Sequence, residues 1–170
     1  MSVRPRSSLL TDTLVRPETF KAVPRDANKL WLDKNENLDP FQRDIVRTIC
    51  DDIDPTILST YPEAARAYEN LSEWLNVVPE SILFTPGSDG AIRMTFEAFI
   101  EDGDDVVHTS PTFAMYPVYA KVFGATAHEL SYDSTSLGPN LNVSKIIQAV
   151  KTFKPKLLCL PNPDSPTGTV

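Results

Sequence analysis

Residues 82–113 read ILFTPGSDGAIRMTFEAFIEDGDDVVHTSPTF. A short apolar run, Ile82-Leu83-Phe84, passes into a loop holding two glycines, Thr85 to Gly90. Ala91 to Ile100 then sets Ile92, Phe96 and Phe99 on one side of a helix. The acidic turn Glu101-Asp102-Gly103-Asp104-Asp105 leads to a second strand around Val106-Val107, which runs out into Ser110-Pro111-Thr112-Phe113. The alternation continues with a helix carrying Phe113, Tyr116, Tyr119 and Phe123, closed by Gly124. Thr126 to Tyr132 predicts a third strand, Val143, Ile146, Ile147 and Val150 a helix, and Leu157-Leu158-Cys159-Leu160 a fourth strand. Short apolar strands separated by single helices predict an α/β fold: a mainly parallel sheet with helices on both faces.

Upstream, Leu30-Trp31-Leu32 reads as a strand entering the polar turn Asp33-Lys34-Asn35-Glu36-Asn37. Asp39 is placed as an N-cap, with Pro40 in the first helical position and Gln42 three residues on. Phe41, Ile45, Ile49 and Ile53 predict one buried stripe on that helix. After Tyr61-Pro62, the spacing of Ala64, Ala67, Tyr68, Leu71, Trp74 and Leu75 predicts a second amphipathic helix. Residues 1–29 have Pro5, Pro17 and Pro24, six basic and three acidic residues, and no apolar period. They are expected to form an extended arm, and they lack the apolar core of a secretory signal.

The 170 residues suffice for one domain with a sizeable core. Lys and Arg number 16 against 23 Asp and Glu, a net charge of −7, which argues against binding to a nucleic-acid backbone. No apolar run is long enough to span a bilayer. Two cysteines exclude a disulfide scaffold and a four-thiolate metal site. The expectation is a soluble, cytoplasmic protein with no nucleic-acid or membrane partner.

In a parallel sheet, ligands bind beyond the carboxyl ends of the strands. Three loops there are unusual. Thr85-Pro86-Gly87-Ser88-Asp89-Gly90 is either an ordinary strand-to-helix turn or a seat for a phosphate at a helix start. The Asp89 charge opposes a phosphate unless its carboxylate points away. Phe113 opens a helix, where its ring belongs either to the core or to the face of a flat heterocycle. Pro161-Asn162-Pro163-Asp164-Ser165-Pro166-Thr167-Gly168 is a restricted loop that presents polar groups. His108 and His128, without a second ligand at metal spacing, are assigned structural roles, as are Cys50 and Cys159. The run 101–105 lacks the spacing of a calcium loop, so no metal site is expected.

In this order and spacing, the sequence resembles the N-terminal portion of the fold type I, pyridoxal-phosphate-dependent aminotransferases, and within them the histidinol-phosphate aminotransferase group. The matching residues are Leu32-Asp33-Lys34-Asn35-Glu36-Asn37, Tyr61-Pro62-Glu63, Gly87-Ser88-Asp89-Gly90, Pro111-Thr112-Phe113 with Met115-Tyr116, and Pro166-Thr167-Gly168. The resemblance covers residues 30–170. It implies a cofactor, pyridoxal 5'-phosphate, whose phosphate meets Ser88, Asp89 and Gly90 and whose ring lies against Phe113. Tyr61 would reach the phosphate of a partner subunit's cofactor in a homodimer, and Asn37 would border the substrate. The residue before Pro-Thr-Gly, usually an Asn donating to the cofactor's phenolate oxygen, is here Ser165, whose shorter hydroxyl donates the same bond. Placing Asp164 there instead would set a carboxylate against a phenolate.

The resemblance further implies a Schiff-base lysine, a carboxylate at the pyridine nitrogen and a substrate-binding arginine, all downstream of Gly168. Lys34, Lys121, Lys145, Lys151, Lys154 and Lys156 match no such position, so no catalytic residue is assigned and the 170-residue chain is expected to be inactive alone. The implied division is an arm at 1–29, a small-domain segment at 30–60, and the first, incomplete part of the cofactor-binding large domain at 61–170. The parent would move an amino group between an amino acid or histidinol-phosphate-like amine and a 2-oxo acid. The alternatives are a decarboxylase or lyase of the same fold, or a non-catalytic truncated remnant. A parallel sheet cut after a central strand is expected to leave the 170-residue chain prone to association.

Overall fold

The structure, a computed structural model, describes residues 26, 28–30, 37 and 39–170. The expected strand and turn at Trp31-Leu32 and 33–36, and all of the arm before Asp26, lie outside the described residues. Of the described residues, those up to Leu83 form one compact unit and those from Phe84 to Val170 another.

In the first unit, α1 spans Pro40–Asp51. Asp39 caps it, its side chain accepting from the Phe41 N–H at 2.9 Å, with Pro40 at the start, where a missing N–H costs nothing. The expected buried stripe is not buried: Phe41, Ile45, Ile49 and Ile53 are all exposed. Periodicity specifies which residues share a face, but burial needs a second surface, and no described residue covers this one. A single 3-10 turn, Pro55–Leu58, leads towards α2, Ala65–Leu75. The left-handed Asn76 ends α2 at φ 54°.

In the second unit, α3 (Gly87–Phe99) feeds β1 (Asp105–Ser110), α4 (Met115–Val122) feeds β2 (Thr126–Ser131), and α5 (Val143–Phe153) feeds β5 (Leu157–Cys159). A hairpin of β3 (Asp133–Thr135) and β4 (Gly138–Asn140) sits between β2 and α5; it has no counterpart in the sequence reading. The three long-range strands are parallel in the order β2-β1-β5, with Val107 opposite His128 and Leu158. The α/β class with helices on both faces is thus observed. On one face Val106 packs with Phe96 and Ile100 of the α3 segment and Tyr119 and Ala120 of α4; on the other, Val107 and Leu130 pack against Ala149 of α5.

Two boundaries differ from expectation. Ile82-Leu83-Phe84 is not a strand, and Leu83 and Phe84 are exposed. A strand exists only by pairing, and no described segment pairs with this one. The helix expected from Ala91 begins at Gly87, so the glycine loop is its first turn. The acidic turn is structural, as expected: the Asp104 carboxylate accepts from the Glu101 N–H at 2.8 Å and from Lys156 Nζ at 2.9 Å, which holds its pKa below the usual carboxylate value. Gly124 closes the α4 segment at φ 81°; a side chain there would collide with Asp102 Oδ1, 2.0 Å from the position of a Cβ.

Candidate functional site

Parallel strands put their following loops at one end of the sheet, so Ser110-Pro111-Thr112-Phe113 and the proline loop from Pro161 emerge side by side from β1 and β5. The start of α3 reaches the same end. A short turn joins α3 to β1, so the two run antiparallel, and about 20 Å of helix spans about the same length as six extended residues.

The first turn of α3 is built tightly. Thr85 Oγ1 donates to the Gly87 carbonyl at 2.8 Å, and the Gly87 N–H donates to the Thr85 carbonyl at 2.7 Å. Gly87 adopts φ 72°, a conformation strained for any other residue. At Gly90 a Cβ would stand 2.9 Å from Pro86 Cδ. The N–H groups of Ser88 and Asp89 follow in the turn that has no preceding helical carbonyls to bond. Ser88 is exposed. The Asp89 carboxylate accepts from the Tyr119 hydroxyl at 3.0 Å, so it is held towards α4.

Phe113 is partly exposed, at 38%, and meets Tyr116 edge to face with ring centres 6.4 Å apart. Tyr116 has its pKa raised by burial first and then by Cys159 and Asp164. In the proline loop Ser165 is exposed whereas Asp164 is 3% exposed. The Asp164 carboxylate accepts from Thr109 Oγ1 at 2.7 Å, from Thr112 Oγ1 at 2.9 Å, and from the Tyr132 hydroxyl. Its backbone closes the loop: its N–H donates to the Thr169 carbonyl, and its carbonyl accepts from the Gly168 N–H at 2.7 Å. Burial and the Asp164 bond raise the Tyr132 pKa.

Five of the expected residues, Ser88, Asp89, Gly90, Phe113 and Ser165, therefore lie at one end of one unit. Tyr61, 96% exposed, and Asn37, whose Oδ1 accepts from the Asp39 N–H at 3.0 Å, belong to the other unit. The sequence reading missed Thr109, Thr112, Tyr119 and Tyr132; the available signal was an acid set in a proline-restricted loop. His128 pairs with Asp105 at 2.6 Å and stacks on Phe153. His108 is 2% exposed, with Nδ1 2.8 Å from the Thr109 carbonyl. No cluster of metal-ligating residues occurs among the described residues.

Residues 27–170 match the family profile described as aminotransferase class I and II. The chain belongs to this family. Among curated aminotransferases, the histidinol-phosphate aminotransferase of Caldanaerobacter subterraneus is 35% identical over 146 residues, covering 84% of this chain and 40% of the relative. That of Clostridium novyi is 30% identical, covering 92% of this chain and 45% of the relative. The crystal structure of the Sinorhizobium meliloti histidinol-phosphate aminotransferase in complex with pyridoxal-5'-phosphate superposes with a TM-score of 0.59 at 20% identity, over 75% of this chain and 33% of that one. At that identity the superposition shows a shared fold. The chain spans less than half the length of these curated relatives.

Proposed function

We propose that this chain supplies the phosphate-binding and ring-facing part of a pyridoxal 5'-phosphate site in a cytoplasmic, homodimeric aminotransferase. The parent enzyme moves an amino group between an amino acid or histidinol-phosphate-like amine and a 2-oxo acid. The observation that carries the reading is the start of α3: Ser88 is exposed in a first turn whose N–H groups lack helical carbonyls, while the Asp89 carboxylate is engaged by the Tyr119 hydroxyl. A donor set with its one anion turned away fits a phosphate. When bound, the cofactor supplies a carbonyl to take up the amino group and a ring to accept electrons.

The chain's own residues bind and orient. Ser88, Asp89 and Gly90 offer donors to the phosphate, Phe113 lies against the ring face, and Ser165 donates to the phenolate oxygen. Tyr61 reaches the cofactor phosphate of a partner subunit, and Asn37 borders the substrate. The burial of Asp164 favours Ser165 in the donor role, because the neighbouring carboxylate is spent on three hydroxyls. On this reading residues 61–170 begin the large domain, 30–60 belong to the small one and 1–29 form an arm. On the same reading the lysine, carboxylate and arginine of the reaction are expected downstream of Gly168.

Equilibrium titration of the 170-residue chain with pyridoxal 5'-phosphate tests the reading. Saturable binding is expected, competed by inorganic phosphate and weakened about tenfold by Ser88→Ala, the effect of one hydrogen bond to a charged group. Failure of the intact chain to bind the cofactor at millimolar concentration would sink it.

A further inference from the structure

We propose that Asp164 is a positioning residue, whose buried carboxylate fixes the Phe113 ring and the Ser165 hydroxyl relative to each other. The proposal rests on the cofactor reading above, which assigns those two groups but gives Asp164 no part.

The three hydroxyls on Asp164 come from two separate stretches of chain, the end of β1 with the loop after it and the residue after β2. Thr109 lies near the end of β1, Thr112 in the loop that carries Phe113, and Tyr132 directly after β2. Thr109 and Tyr132 share Oδ2, whereas Thr112 takes Oδ1. A buried carboxylate needs hydrogen-bond donors, and the three hydroxyls here come from β1, the loop after it and the residue after β2. Phe113 follows Thr112 and Ser165 follows Asp164, so the 2.9 Å bond between Thr112 and Asp164 directly joins the segment bearing the ring to the segment bearing the donor. With the Asp164 backbone also bonded to Gly168 and Thr169, the loop is held at this residue by side chain and main chain together. A flat ligand gripped on its face by one loop and at its edge by another binds only if the two keep their spacing, and sub-ångström drift is costly.

The test uses the 170-residue chain and pyridoxal 5'-phosphate, with affinity measured by equilibrium dialysis. Removing Asp164 strands three hydroxyls and risks the fold, so Thr112 is the cleaner handle. Thr112→Val keeps the volume and removes the hydroxyl; Thr112→Ser keeps the hydroxyl and removes a methyl. Positioning through the carboxylate predicts about tenfold weaker binding for Thr112→Val and near-normal binding for Thr112→Ser, the factor being that of one charged hydrogen bond. A packing role predicts the reverse order and overturns the proposal, as does equal binding by all three proteins. Circular dichroism confirms folding of each variant. Wild-type chain that binds no cofactor refutes the underlying reading, and the proposal falls with it. Wild-type binding that Ser165→Ala weakens but Thr112→Val does not would leave the cofactor site standing and remove Asp164 from it.

Discussion

Replacing Asp164 by Ala removes an acceptor that three hydroxyls share, and the structure sets the size of the effect. The Thr109 hydroxyl belongs to a side chain 1% exposed, so water cannot take the place of the carboxylate. Leaving it unsatisfied costs about 1–3 kcal/mol. Thr112 and Tyr132 are half-buried and recover part of their bonding from water, about 0.5–1 kcal/mol lost at each. Relief of the carboxylate's desolvation offsets some of this, leaving a net loss of about 1–4 kcal/mol. Asp164→Asn should behave differently. Its single oxygen can occupy the Oδ2 position and keep Thr109 and Tyr132, while its amide N–H faces a Thr112 hydroxyl free to turn and accept. The expected loss is then about 1 kcal/mol or less. Urea denaturation followed by circular dichroism measures both, and hydrogen exchange at Gly168 reports the loop itself. An Ala variant within about 0.5 kcal/mol of wild type, or an Asn variant as unstable as Ala, would refute the carboxylate's part in holding these loops.

Two other outcomes follow from burial and exposure. Burial pushes the Cys159 thiol up to about 11 from 9.0, so the neutral thiol's contribution to stability is complete below pH 9 and is lost as pH rises through about 11. Alkylation should therefore modify the exposed Cys50 first at pH 8 and reach Cys159 in folded chain only near pH 11; equal rates at pH 8 would contradict the burial. With Phe41, Ile49, Leu58 and Trp74 all more than half exposed, the 170-residue chain should self-associate at micromolar concentration in sedimentation velocity. A monodisperse monomer with one cooperative melting transition would overturn that expectation.

Much of the scaffold was legible because its signals are local. The Asp39 cap with Pro40, the helical spacing over α2 and α5, and the strand segments β1, β2 and β5 each depend on residues within a turn or two of one another. The loops at the carboxyl ends of the strands could likewise be singled out from glycine, proline and the connectivity of a parallel sheet. The hairpin at 133–140 was not legible, since its two three-residue strands carry no apolar alternation and include Gly138 and Pro139.

The amino-acid order by itself determined the α/β alternation, the helix caps and the short list of loops able to meet a ligand, because backbone propensity and side-chain period act over a few residues. Tertiary structure decided everything that needs a distant partner. Ile82-Leu83-Phe84 has strand composition yet no described strand to pair with, and the α1 stripe has the right period yet no described surface to cover it. The two acids of the candidate site took their direction from partners 30 to 55 residues away: Asp89 from Tyr119, and Asp164 from Thr109, Thr112 and Tyr132. A carboxylate points where its hydrogen-bond donors are, and the fold alone brings those donors to it.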